Sequence, residues 1–127
     1  MSKPLTVLVI EDDPQYRLTL TAYLEDSGYT VFEAADGLEG MEVFSRVRPD
    51  IVLTDLRMPK LDGLGVISAV KARSPATPVI AITGTRDPLA EENALRLGAR
   101  ECLFKPIEDL SVLESVVMEA LEEARNG

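Results

Sequence analysis

The sequence predicts an α/β fold, a doubly wound five-stranded parallel sheet with five helices on its two faces. Three observations predict it. Apolar strand-like runs alternate with helical patterns five times. Several of those runs are continuous in Val, Ile and Leu, with little polar alternation, as strands covered on both faces are. Each connection between runs is long enough to hold a helix, which gives a series of right-handed βαβ units.

The first strand is Leu5 to Ile10. Asp13-Pro14 follows as an N-cap with proline at the first helical position. It opens a helix from Pro14 to Asp26 with Tyr16, Leu20, Tyr23 and Leu24 on one face, and Gly28 marks its stop. The second strand, Thr30 to Ala34, leads to a helix over Leu38 to Val47 that repeats Leu38, Met41, Phe44 and Val47. The third strand, Ile51 to Thr54, ends at Asp55 and the Pro- and Gly-containing stretch Leu56 to Gly63. A helix over Leu64 to Ala72 carries Leu64, Ile67 and Val70. The fourth strand is Pro78 to Thr83, and its helix, Pro88 to Leu97, carries Ala90, Ala94 and Leu97 before Gly98. The fifth strand is Glu101 to Phe104. The last helix, Asp109 to Ala124, has the clearest apolar stripe: Leu110, Leu113, Val117, Ala120 and Ala124, with Val116 and Leu121 beside them.

Composition narrows the function. At 127 residues the chain is long enough for one domain with a real core and too short for two, and residues 1–127 contain no linker or repeat. A net charge of -9 disfavours nucleic acid, whose phosphates need clustered Lys and Arg, and favours cations and basic partners. One cysteine, Cys102, allows no internal disulfide, and the lack of any histidine argues against zinc. No segment reaches membrane-spanning length, so no membrane partner and a cytoplasmic location are expected.

In an open parallel sheet all carboxyl ends lie on one edge, where ligands bind. This puts Asp12 and Asp13 (after strand one), Asp55 (after strand three), Thr83 (ending strand four) and Lys105 (after strand five) along one rim. Each alone has an ordinary explanation: Asp13 as an N-cap, Asp55 as a turn residue, Thr83 as a strand end, Lys105 as a solvated loop lysine. Their joint occurrence at four strand ends favours a site. Carboxylates about 4 Å apart repel by roughly 4 kcal/mol per pair at an effective dielectric near 20, so the cluster needs a cation. Hard oxygen ligands suit Mg²⁺. A carboxylate nucleophile with a divalent metal, an ammonium and a hydroxyl fits phosphoryl transfer onto an aspartate.

With these residues the chain resembles the receiver domain of bacterial two-component response regulators. The matching positions are Asp12-Asp13, Asp55 in Asp55-Leu56-Arg57-Met58-Pro59, Asp62-Gly63, Thr83-Gly84 and Lys105-Pro106. The resemblance implies the flavodoxin-like strand order 2-1-3-4-5. It implies a phosphoacceptor domain rather than an enzyme, with self-catalysed phosphotransfer and dephosphorylation. Asp55 would take the phosphoryl group of a sensor histidine kinase or histidine phosphotransfer protein. Asp13, Asp12, Asp55 and the carbonyl of Arg57 would surround Mg²⁺, and Lys105 and Thr83 would contact phosphoryl oxygens. Arg57 and Thr85 would flank the path of the hydrolytic water. The Lys105-Pro106 bond would be cis. The output would pass to a downstream protein or domain through helix four, strand five and helix five, with a homodimer left open.

One departure is Cys102, where family members usually carry Tyr or Phe; a cysteine cannot make the usual aromatic swing, and it reads instead as a small buried hydrophobe. A finer resemblance, in Ala94 to Ala99 and Lys105 to Leu110, is to receivers of regulators of stationary-phase sigma-factor or anti-sigma pathways. The rival readings are three. An aspartate-based phosphatase would need a second aspartate two residues after the first at strand one. A nucleotide-binding module would need a Gly-rich loop there. A degenerate receiver would bind partners without taking phosphate. Glu119, Glu122 and Glu123 oppose the dipole of the last helix, which points to a helix continuing into a longer regulator, although Asn126-Gly127 reads equally as a stop.

Overall fold

The computed structural model describes residues 4–84 and 87–126. Ten elements alternate: β1 (Thr6–Ile10), α1 (Pro14–Asp26), β2 (Thr30–Ala34), α2 (Gly37–Val47), β3 (Ile51–Asp55), α3 (Gly63–Arg73), β4 (Val79–Thr83), α4 (Pro88–Leu97), β5 (Glu101–Phe104) and α5 (Leu110–Asn126). All strand pairings are parallel, and the order is β2-β1-β3-β4-β5, as expected. The third strand extends one residue further than the apolar run, so Asp55 is its last residue.

Strand alternation sorts the core into two layers. Leu8, Ile10, Val52, Val79 and Ala81 face α2, α3 and α4. Val7, Val9, Ile51, Leu53, Ile80 and Ile82 face α1 and α5. Every residue of β3 and β4 is buried, which accounts for their unbroken apolar runs. Burying each of these side chains contributes about 1.5–3 kcal/mol, so the central strands are the rigid frame of the molecule. Three residues read on core faces are exposed: Leu38, Leu97 and Ala124 lie at or near the ends of α2, α4 and α5, beyond the cover of the sheet.

All five helices follow an aspartate: Asp109 accepts the Ser111 N–H in the first turn of α5, and four others serve α1 to α4. The carboxylates of Asp13, Asp36, Asp62 and Asp87 accept backbone N–H groups in the first turns of α1, α2, α3 and α4. Each such cap contributes about 1 kcal/mol. Asp62 therefore owes its place before Gly63 to capping α3. Gly63 is required for a different reason: a β-carbon there would lie 2.1 Å from the carbonyl oxygen of Asp55. The loop after β3 thus folds back against the backbone of Asp55 and fixes it.

The strand order reverses about β1, whose neighbours are β2 and β3. The crevice of a doubly wound sheet opens at such a reversal, outside the carboxyl ends of the strands. Here those are the ends of β1 and β3.

Candidate functional site

Ile10 pairs with Thr54, so the next rung sets Glu11 beside Asp55 on adjacent strands. Glu11 prolongs the ladder, its N–H donating to the Ala34 carbonyl at 3.0 Å. Arg17 on α1 donates to the Glu11 carbonyl at 2.7 Å and pairs with Glu33 at 3.0 Å, tying the turn after β1 to β2. Asp55 is held at both ends: its carbonyl accepts the Thr54 hydroxyl at 2.9 Å, and its Oδ1 accepts the Arg57 N–H at 3.2 Å.

One carboxylate oxygen from each of Glu11, Asp12 and Asp55 lies within 4.8 Å of the others. Glu11 and Asp55 are buried, with relative exposures of 1% and 7%, whereas Asp12 is open to solvent. Lys105 comes from the end of β5, where its N–H donates to the Thr83 carbonyl at 2.8 Å. Its Nζ bonds Asp55 Oδ2 at 2.8 Å and Glu11 Oε1 at 2.5 Å. Thr83 is buried on the strand beside Asp55, one residue past Ile82, the register partner of Asp55. The Lys105–Pro106 bond is cis.

The expected acidic set is thus altered by one residue. Asp12 and Asp55 come together, but the third carboxylate is that of Glu11 rather than Asp13. The Asp13 carboxylate turns to the start of α1, where Oδ1 accepts Gln15 N–H at 3.0 Å and Tyr16 N–H at 3.5 Å. Its own N–H donates to Glu11 Oε2 at 3.0 Å. The pair Asp13-Pro14 signalled this capping geometry, and a carboxylate aimed at the first turn of a helix is drawn away from the crevice. The signal for Glu11 was its position directly after the last strand residue, Ile10. Thr85 lies outside the described residues.

Burial pushes the Glu11 carboxyl up to about 7, although the Lys105 ammonium and the Asp13 N–H pull the other way. For Lys105 burial alone would lower the pKa, but the bonds to Asp55 and Glu11 outweigh it and the ammonium lies above its ordinary value. Three carboxylates against one ammonium leave two negative charges when all are ionised. That balance, with oxygen donors alone, fits a hard divalent cation such as Mg²⁺.

Cys102 is half-buried and packs on the α3–α4 layer; burial raises its thiol, with Glu91 adding to it, as suits a small apolar side chain rather than a reactive one. Phe104 ends β5 beside Thr83.

Strand order, crevice, acidic cluster and lysine together define a receiver domain. The chain belongs to the response regulator receiver domain family, which matches residues 7–117. Regulator of RpoS from Escherichia coli K12 is 33% identical over 124 residues, covering 95% of this chain and 37% of that protein. The finer resemblance is met by this relative, of whose length the chain spans little more than a third. Protein CcdB from Bacillus subtilis is 33% identical over 111 residues, covering 87% of this chain and 92% of that protein. A receiver domain protein from Clostridium thermocellum superposes with a TM-score of 0.90 at 30% identity, over 95% of this chain and 97% of that chain. Receiver domains serve phosphorylation-based signalling between histidine kinases and downstream effectors, and bind Mg²⁺ at an acidic pocket. No helix among the described residues is long and apolar enough to cross a membrane.

Proposed function

We propose that this chain is a phosphorylation switch, with Asp55 as phosphoacceptor, Lys105 and Thr83 as phosphoryl contacts, and Glu11 and Asp12 as the acidic partners of Asp55 around Mg²⁺. Residues 1–127 form one receiver domain that works in the cytoplasm. The donor is a phosphohistidine of a sensor histidine kinase or histidine phosphotransfer protein. An Asp55 carboxylate oxygen attacks phosphorus, the P–N bond breaks, and its electron pair stays on the imidazole nitrogen. Glu11, Asp12, Asp55 and the Arg57 carbonyl would hold Mg²⁺, which would supply positive charge to the transferring group. Asp13 keeps only its capping role in this reading.

The observation that carries the proposal is the Lys105 ammonium bonded to both Asp55 and Glu11 inside a carboxylate cluster. A phosphoryl group adds negative charge there, and Lys105, with three N–H donors against two carboxylate partners, bonds a phosphoryl oxygen. Thr83 then turns its hydroxyl to a phosphoryl oxygen and biases α4, β5 and α5 between two arrangements. A few kcal/mol inverts such a population. With Cys102 at the usual aromatic position, that bias travels through the segment after Thr83 and through α4. Leu89 and Leu95 on α4 and Val112 on α5 are exposed and apolar, as a partner surface for the output requires.

The test is an amide NMR comparison with and without the phosphoryl mimic beryllofluoride in Mg²⁺. The switch requires shifts that start at Asp55 and Thr83 and extend along α4 and β5. Shifts confined to the residues touching Asp55, or no binding of the mimic, would favour a receiver that only binds partners.

A further inference from the structure

Tyr16 lies in the first turn of α1, and none of the site chemistry so far uses it. Its ring faces the lysine: Lys105 Nζ stands 4.9 Å from the ring centroid. Its hydroxyl accepts the Ile107 N–H at 3.3 Å, a contact between residues 91 apart in sequence. The ring is half-buried and packs in the α1–α5 layer with Ile107 and Leu110. Tyr16 therefore grips the segment after β5 at two points two residues apart, the Lys105 ammonium and the Ile107 backbone.

A lysine is a point charge on a flexible four-carbon stem, and its three N–H donors set no direction by themselves. Glu11 and Asp55 take two of those donors, and the set of partners changes when a phosphoryl oxygen arrives. The face of an aromatic ring attracts a cation without using an N–H. The ring contact can thus persist while the hydrogen-bond partners change. The Asp13 carboxylate supports the same arrangement, since Oδ1 accepts the Tyr16 N–H as part of the helix cap.

We infer that Tyr16 is a positioning residue for the phosphoryl-transfer reaction, a fixed aromatic surface on which Lys105 pivots from the carboxylates to the phosphoryl group. This rests on the phosphoacceptor reading of Asp55. The ring is the working part; the hydroxyl secures the loop.

The test uses Tyr16→Phe and Tyr16→Leu, each alone and with Lys105→Met. Phosphorylation by a small phosphodonor at saturating Mg²⁺ should slow roughly five- to tenfold in Tyr16→Leu, the size of a partly buried cation–π contact, and stay within about twofold of wild type in Tyr16→Phe. Mg²⁺ affinity should change less than about twofold in either, since neither substitution removes a ligand. In the Lys105→Met background Tyr16→Leu should add less than about twofold, because the partner it positions is gone. NMR of ¹⁵N-labelled lysine, without phosphodonor, should show the Lys105 ammonium signal in wild type and Tyr16→Phe and lose it to exchange in Tyr16→Leu. An unchanged rate and ammonium signal in Tyr16→Leu, or an equal slowing in the Lys105→Met background, would overturn the inference. A wild type that takes no phosphoryl group overturns the phosphoacceptor reading instead, and the ammonium signal then decides for or against the positioning of Lys105 by Tyr16.

Discussion

Exchanging Lys105 for methionine will slow phosphoryl uptake by about a hundredfold, the usual cost of removing one preorganised charge donor from a developing anion. The same substitution will tighten Mg²⁺ binding. The two effects have opposite signs because Lys105 now neutralises the carboxylates that a cation would use. A unit charge about 4 Å from another is felt at up to roughly 4 kcal/mol at an effective dielectric of 20, and solvent at the crevice mouth reduces this, so tightening of about tenfold is expected. Methionine keeps most of the buried stem volume, which limits packing damage. Rapid-mix phosphorylation kinetics and Mg²⁺ titration calorimetry on the same samples read both effects. Slower uptake with weaker Mg²⁺ binding would mean that Lys105 maintains the fold of the crevice rather than serving the phosphoryl group.

The second large effect concerns pH. Burial penalises the charged form of the folded Glu11 carboxyl and pushes it up to about 7, against an ordinary value of 4.5. Between those values the folded protein holds a proton that the unfolded chain has lost. Without Mg²⁺ the Glu11 contribution therefore makes stability fall as pH rises from about 4.5 to about 7, and level off above. Saturating Mg²⁺ cancels the trend, since a bound cation requires the ionised carboxylate and its affinity gains with pH what the free folded state loses. Apparent Mg²⁺ affinity should rise with pH towards about 7, by up to roughly tenfold per unit, and then flatten. Asp36 and Asp109 have pKa values lowered by N–H and hydroxyl donors, so their contributions fall below this window. In Glu11→Gln both the stability slope and the affinity slope across the window should vanish, and Mg²⁺ should bind more weakly at pH 8 than in wild type. Thermal unfolding and calorimetry across this pH range make the measurement. A slope that survives in Glu11→Gln would assign the titration to another group.

The architecture was legible because burial on both faces leaves an unmistakable trace in the sequence. Val7 to Ile10, Ile51 to Leu53 and Val79 to Ile82 are unbroken apolar runs, and in the structure they are the covered inner strands. The convergence of Asp12, Asp55 and Lys105 was legible too, since parallel strands must end on one edge. The choice between Glu11 and Asp13 was not. Three adjacent acids follow β1, and which of them face the crevice depends on a single residue of register, set by where the ladder ends and where the helix cap begins. Asp13-Pro14 announced the cap, but a carboxylate next to a strand end also reads as a ligand. Tyr16 was placed on the apolar face of α1, where it does pack, yet its contacts with Lys105 and Ile107 span about 90 residues and leave no local periodic signal. Asp62 next to Gly63 carried a family likeness, and the geometry explains it by a cap on α3 and a close approach to the Asp55 backbone.

The most direct measurement is intact mass, with peptide mapping, after incubation of wild type and Asp55→Asn with a small phosphodonor. In the presence of Mg²⁺ the wild type should gain one phosphoryl group, carried by the peptide that contains Asp55, and should gain none when Mg²⁺ is chelated. Asp55→Asn should stay unmodified throughout. An unmodified wild type, or a phosphoryl group that survives the loss of Asp55, would contradict a phosphorylation switch built on the Glu11–Asp12–Asp55 cluster.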